Sequence, residues 1–284
     1  WDWGFRADVL YGVDGQDLQA YGHNPAPPFF AKGWDNSLDH GKYGWALPQA
    51  YVELANGDWR IMAGHFMKLA GFETLYAPGR FFYSLSYATA LAEQHTFTGA
   101  IASYQWDADT QFFGGYSLGI DTAFDSFGGG SNGILGVSRQ LDDWISLAFV
   151  GNFGNLGWFG DGVMETAYLD IQLTDQLQWV LQGDLVDTTE VLNQNFDQTQ
   201  YAITNYLFYS LTDRVSLGGR VEWWKTKGVY TGNTQSAQSA TLGLNLAVSE
   251  NLRIRPEYRH NWGAVVPNLG ADTDIFGIDA ILFY

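Results

Sequence analysis

Counting back from Tyr284, the apolar residues Leu282, Ala280, Ile278 and Phe276 fall at every second position, with Asp279 on the opposite parity. A period of two places alternate side chains on opposite faces of a strand. The same alternation recurs along the whole chain, and helical periodicity is hard to find. It predicts fourteen strands, at roughly 4–13, 46–55, 59–67, 97–106, 112–122, 133–139, 144–151, 166–173, 177–186, 200–210, 214–224, 239–247, 252–260 and 275–284. The longest apolar runs, such as "WISLAFV" at 144–150, fall well short of the roughly 20 residues a spanning helix needs.

The predicted connections alternate in length. Six are short and rich in turn formers: 56–58, 107–111, 140–143, 174–176, 211–213 and 249–251. Between them lie seven longer segments, near 14–45, 68–96, 123–132, 152–165, 187–199, 225–238 and 261–274. Strict alternation puts every short turn, and both termini, at one end of an up-and-down meander. That is the plan of a transmembrane antiparallel β-barrel of the outer-membrane type, with tight periplasmic turns and long external loops. Residues 1–284 read as one such domain. Both termini are then expected in the periplasm. "WD" pairs at Trp1-Asp2, Trp34-Asp35 and Trp106-Asp107 suggest a β-propeller, but their spacing lacks the repeat of about 40–45 residues.

The charged positions test the membrane reading, because Lys or Arg on the lipid face at mid-bilayer costs about 2–4 kcal/mol. Arg6 and Asp8 oppose Phe5, Ala7, Val9 and Tyr11. Arg220 and Glu222 oppose Val215, Leu217, Val221 and Trp223. Arg253, Arg255, Glu257 and Arg259 oppose Leu252, Ile254, Pro256 and Tyr258. The exceptions, Arg139 and Asp187, fall at strand ends, where a side chain reaches the interface. A soluble sandwich also alternates, yet its polar face would carry many Lys and Glu, and here that face is mostly Ser, Thr, Gln, Asn and Gly. Trp59, Trp144, Trp179, Trp223 and Tyr284 near strand ends fit interfacial aromatic girdles.

Composition narrows the function. The net charge of −17, with only 14 basic residues, argues against nucleic acid, which needs clustered Lys and Arg. Cysteine is absent, so no disulfide or thiolate metal site is expected. No metal or cofactor is expected either: "DADTQ" at 107–111 lacks the closing Glu of a calcium loop.

Several stretches carry a family resemblance: "WDWGFRADVLYGVD" (1–14), "YGWALPQAYVEL" (43–54), "GHFMKLAGFETLYAPGRFFYSLSY" (64–87), "TFTGAIASY" (96–104), "NYLFYSLTDRVSLGGRVEWW" (205–224), "NLRIRPEYRHNW" (251–262) and "FGIDAILF" (276–283). Over nearly its whole length the chain resembles the β-barrel porin family described as OmpL-like, most specifically in the "GHF…GFE…FFYS" segment. The resemblance implies an outer-membrane porin-like channel and admits a homotrimer. Family members carry a further hairpin upstream of the segment matching 1–14, which implies sixteen strands in a complete barrel. The alternating final strand, with Phe276, Ile278, Ala280, Leu282 and Tyr284 on one face, resembles the C-terminal signal read by the outer-membrane assembly machinery.

The expected function is passive diffusion of small polar solutes or ions through a charge-lined lumen, in contact with outer-membrane lipids. Pore-lining candidates are Arg6, Asp8, Arg220, Glu222, Arg253, Arg255, Glu257, Arg259 and Asp279. The 68–96 segment, with Lys68, Glu73, Arg80 and Glu93, is the candidate constriction loop. Its acids facing the arginines would set up a transverse field. The same charges could instead pair structurally, Arg220 with Glu222 and Arg255 with Glu257. Two other classes remain: a barrel plugged by its own loops, acting as a structural, adhesive or receptor protein, and a catalytic barrel in which Ser84 or Ser86 meets His65 or His95. No nucleophile motif supports catalysis, so no enzyme activity is expected.

Overall fold

The computed structural model describes residues 1–20, 34–35, 39–69, 71–125, 128–191, 197–228, 234–263 and 272–284. Half of the long 14–45 connection, including His23, lies outside them. The strands are β1 (Asp2–Gly12), β2 (Gly44–Asn56), β3 (Trp59–Met67), β4 (Thr96–Gln105), β5 (Thr110–Ile120), β6 (Ser131–Asp142) and β7 (Ile145–Asn155), followed by β8 (Asp161–Gln172), β9 (Leu177–Thr189), β10 (Gln198–Thr212), β11 (Val215–Lys227), β12 (Thr234–Ser249), β13 (Leu252–Gly263) and β14 (Thr273–Leu282). Each pairs antiparallel with its neighbour in sequence, in one sheet ordered β1 to β14. This is the up-and-down architecture of outer-membrane barrels, in which ladders between strands satisfy backbone groups that lipid cannot. Among the described residues no helix is long and apolar enough to cross a membrane.

The fourteen strands match the alternation one for one, but several run further toward the long loops. β12 begins at Thr234 rather than 239, and β9 ends at Thr189 rather than 186. There the side chains are mostly Ser, Thr and Gln on both faces, so the ladder continues past the point where apolar alternation marks it. At the turn end Gly57 adopts φ +56, a left-handed conformation that favours glycine and closes the tight β2–β3 link. Register shifts at Gln140/Asp142, Ser210/Thr212 and Ala247/Ser249 sit beside three other short turns. Such bulges sharpen the strand twist locally.

Burial separates the two faces. On β10, Gln198, Gln200, Ala202, Thr204, Tyr206 and Phe208 are buried toward the lumen, while Tyr201, Ile203 and Leu207 are exposed outward. On β13, Arg255, Glu257, Arg259 and Asn261 point inward and Tyr258 outward. Arg139 and Asp187 are outward and exposed near strand ends. Five further outward charges, Asp161 and Glu165 on β8, Lys225 and Lys227 on β11 and Asp274 on β14, lie toward the loop end of their strands. His65 is also on the outward parity, opposite to Phe66, but is buried, with its ring 6.1 Å from that of Phe124.

Candidate functional site

The segment between β3 and β4, residues 68–95, turns into the lumen and is fastened to the far wall. Its two ends meet where the Lys68 amide donates to His95 O at 2.9 Å. From there it reaches β9, where the Phe72 amide donates to Gln182 Oε1 at 2.7 Å. It reaches β1 through the Tyr76 hydroxyl, which donates to Asp8 Oδ2 at 3.0 Å. On β13, Arg255 Nη1 donates to Ala77 O at 2.9 Å and to Arg80 O at 2.6 Å. The Ser84 hydroxyl donates to Glu257, and Asn245 on β12 donates to Phe81 O at 3.2 Å. Many of these partners are backbone carbonyls or amides of the segment. A turn of irregular chain carries unpaired backbone groups, and the polar lumen wall supplies their partners.

The charges form three clusters. In the first, Arg220 is fully buried and its Nη1 lies 2.6 Å from Glu73 Oε1 and 2.9 Å from Ser84 O. Arg220 Nε is 3.3 Å and Arg259 Nη2 3.0 Å from Glu222 Oε1, and Glu222 also accepts from the Tyr87 amide and the Ser239 hydroxyl. Burial alone would push the Glu73 carboxyl up. The Arg220 guanidinium, with the Ser86 amide and Lys68, outweighs that and holds it below its ordinary value of 4.5. In the second cluster Lys68 pairs with Glu93, which accepts from Gln182 Nε2 at 2.6 Å and Thr89 Oγ1 at 3.0 Å. In the third Arg255 pairs with Asp279 on β14, its Nε 2.9 Å from Oδ1.

Arg255 thus takes Asp279 as its partner, and Glu257 turns to Ser84. Arg6 and Asp8 pair with each other at 2.8 Å. Arg80 faces no carboxylate within ion-pair reach among the described residues and spends its donors on the carbonyls of Leu75, Phe82 and Tyr83. Arg253 gives one long bond, 3.4 Å, to Pro78 O. Of the arginines expected to line the pore, Arg220, Arg255 and Arg259 are therefore occupied in holding the inserted segment.

Toward the loop end the lumen is filled by an apolar cluster. Tyr87, Ala88 and Ala92 of the segment pack with Phe66, Phe97 and Trp224 of the wall. Toward the turn end two bays remain beside the segment. One, of about 380 Å³, lies against β1–β5 and is lined by Arg6, Glu53, Arg60 and Lys68 among others. The other, of about 490 Å³, lies against β9–β13. Neither the segment's fastening residues Gln182 and Asn245 nor its aromatic contacts stood out in the sequence. The run "NYLFYSL" at 205–211 did carry a signal, being apolar on both parities where a wet lumen calls for polar residues on one.

The candidate catalytic serines do not meet a histidine. Ser86 Oγ donates to Thr89 Oγ1 at 3.1 Å, His65 Nδ1 lies 2.8 Å from Thr98 Oγ1, and His95 Nε2 lies 3.0 Å from Thr89 O. No group of metal-ligating side chains occurs among the described residues.

A family model described as "Putative beta-barrel porin-2, OmpL-like" matches residues 2–283. Solved outer-membrane proteins share the fold. OmpT of Vibrio cholerae aligns with TM-score 0.58 and 13% identity over 84% of this chain and 82% of its own. The outer membrane channel DcaP of Acinetobacter baumannii aligns with TM-score 0.60 and 10% identity over 88% of this chain and 78% of its own. The anion-selective porin from Comamonas acidovorans aligns with TM-score 0.55 and 11% identity over 84% of this chain and 79% of its own. At these identities the likeness is one of fold. No curated protein matches the chain.

Proposed function

The chain belongs to the OmpL-like β-barrel porin-2 family of the outer membrane, and from that premise we propose that it is a channel for passive diffusion of small polar solutes or ions. The observation that carries this reading is the docking of residues 68–95 on the charged wall, centred on Glu73 and Arg220 at 2.6 Å. A segment held inside a barrel narrows it, and fixed charges along the narrowed path select by electrostatics. Arg6, Arg60 and Lys68 line the smaller bay, each paired with a carboxylate (Asp8, Glu53 and Glu93), while Arg253 beside the larger bay has no carboxylate within ion-pair reach among the described residues. The proposal includes periplasmic termini, an assembly signal on the outward face of β14, a non-catalytic role and the option of a homotrimer.

The test is single-channel current from the purified, folded protein in a planar bilayer under a salt gradient. Ohmic steps are expected, and the sign of the reversal potential gives the selectivity. Silence from folded protein sinks the reading. It would favour a second one, supported by the apolar cluster of Tyr87, Ala88 and Ala92 with Phe66, Phe97 and Trp224: a barrel plugged by its own segment, serving a structural, adhesive or receptor role.

A further inference from the structure

The larger bay, against β9–β13, is built unlike the rest of the lumen. A water-filled lumen is lined by polar side chains, yet here Tyr206 and Phe208 are buried on the inward face of β10. Three rings of the inserted segment lie against them. Phe81 stands 4.8 Å from Phe208, and Phe72 lies 5.0 Å from Tyr206 and 5.8 Å from Phe208, between centroids; Phe82 is 5.0 Å from Phe81. The wall is cut back to admit them, since a Cβ on Gly218 would come within 2.4 Å of the Phe81 ring and one on Gly243 within 3.1 Å of Phe82. The result is an apolar slab on one side of a bay of about 490 Å³, within the roughly 300–1,000 Å³ of small-molecule sites.

The bay also carries net positive charge. Arg80, Arg214 and Arg253 line the bay with two acids, Glu73 and Asp213. Glu73 is neutralised by Arg220. That leaves three cations against Asp213. No carboxylate lies within ion-pair reach of Arg214 or Arg253 among the described residues. Arg253 is stationed near the turn end, its guanidinium carbon 5.3 Å from the Phe283 ring centroid, with most of its donors uncommitted. A flat apolar surface beside unpaired guanidinium groups recognises a flat apolar body with an anionic head, since guanidinium donors match a carboxylate in a bidentate fork and aromatic faces take a ring.

We propose that this bay is a binding site for small aromatic carboxylates, entered from the turn end, with the ring against Phe81 and Phe208 and the carboxylate toward Arg253 and Arg214. The site deepens the channel reading and rests on it, because it makes such anions the favoured solutes of the lumen.

The test separates binding from conduction. Benzoate, cyclohexanecarboxylate and acetate are titrated into the full chain, folded in detergent, by calorimetry and saturation-transfer NMR, with heat-dependent gel mobility as the check on folding. Saturable benzoate binding is expected, about tenfold or more tighter than acetate. Arg253→Gln is expected to weaken it about tenfold and Phe81→Ala about fivefold. Cyclohexanecarboxylate falling to the level of acetate identifies ring stacking as the recognition. Its matching benzoate would overturn the aromatic specificity. Equal affinity for benzoate and acetate, or no saturable benzoate binding to folded protein, overturns the site. Current in plain salt tests the channel separately, so a conducting barrel that ignores benzoate defeats only this proposal, and a silent barrel that binds benzoate defeats only the channel.

Discussion

Glu73 and Arg220 are 147 residues apart in the chain and meet at 2.6 Å in the middle of the lumen. One belongs to the segment that leaves β3, the other to β11. Neither could be buried alone, because an unpaired charge in a low-dielectric setting carries a desolvation penalty of several kcal/mol. Together with Glu222, Arg259 and Ser84 they form a network whose links to Glu73 and Ser84 exist only when the segment is docked. The network is thus a fastening whose loss can be read both as stability and as lumen width.

Removing the cation should do more than removing one acid. Arg220→Gln leaves Glu73 buried without its partner and Glu222 with Arg259 alone, and is expected to destabilise the docked segment by about 3–5 kcal/mol. Glu73→Gln leaves Arg220 with Glu222 and keeps an amide for hydrogen bonding, so about 1–3 kcal/mol is expected. Urea unfolding in lipid vesicles measures both. Conductance should be larger or noisier in the same order. An Arg220→Gln barrel that matches the parent in both assays shows that the network does not hold the segment.

Acid should loosen the same fastening. In the docked state the Glu73 carboxyl titrates below its ordinary value of 4.5, owing mainly to Arg220, which outweighs burial. A depressed pKa means that the docking contribution is fully present above that ordinary value and is lost as pH falls through the depressed one. Current recorded from neutral pH down to about pH 3 is expected to rise or flicker only in the acid part of that range. Glu73→Gln should lack that acid step. A step that persists in Glu73→Gln assigns it to another carboxyl.

The strand pattern was legible because lipid and lumen impose opposite demands on alternate residues, so β13 shows its charges on one parity alone, and β11 does so up to Lys225 and Lys227 near its loop end. The docking of the segment was legible only in kind. A long aromatic connection with Glu73 and Glu93 pointed to the lumen, but partner choice depends on shear between strands and on which backbone groups the segment leaves unpaired. Arg255 with Asp279 rather than Glu257 is such a case: i and i+2 on one strand share a face, whereas Asp279 is the directly opposed residue across the β13–β14 ladder. The aromatic slab escaped notice because Tyr206 and Phe208 share a strand with Tyr201, Leu207 and Tyr209, and a run apolar on both faces reads as one more hydrophobic strand.

A crosslink can report where the segment sits. The chain has no cysteine, so paired substitutions give an unambiguous readout. Ser84 and Glu257 touch through side chains and through the Ser84 amide, at 3.2 Å to Glu257 Oε2. Ser84→Cys with Glu257→Cys is expected to be bridged by a short bis-methanethiosulfonate, which spans the gap left by the missing glutamate carboxylate, seen as a shift in the mobility of the heat-denatured protein that reductant reverses. Conductance should change little on crosslinking, because the bond fixes a contact already made. Failure to crosslink in folded protein would place the segment elsewhere.

The two faces of β11 should respond differently to the same charge. Val221 points outward and is 56% exposed when the chain is taken alone, so in the membrane it meets lipid. Ser216, on the other parity, lines the larger bay. A Lys placed near the bilayer midplane costs about 2–4 kcal/mol, whereas on the lumen side it meets water and changes selectivity instead. Val221→Lys is therefore expected to make folding into vesicles less favourable by about that amount and leave the reversal potential unchanged. Ser216→Lys should leave stability nearly unchanged and shift the reversal potential toward anions, because it adds a cation beside Arg214 and Arg253. If Ser216→Lys proved the more destabilising of the two, the assignment of faces on β11 would be inverted. Every inference drawn from the lumen network would fall with it, since Arg220 and Glu222 share the parity of Ser216.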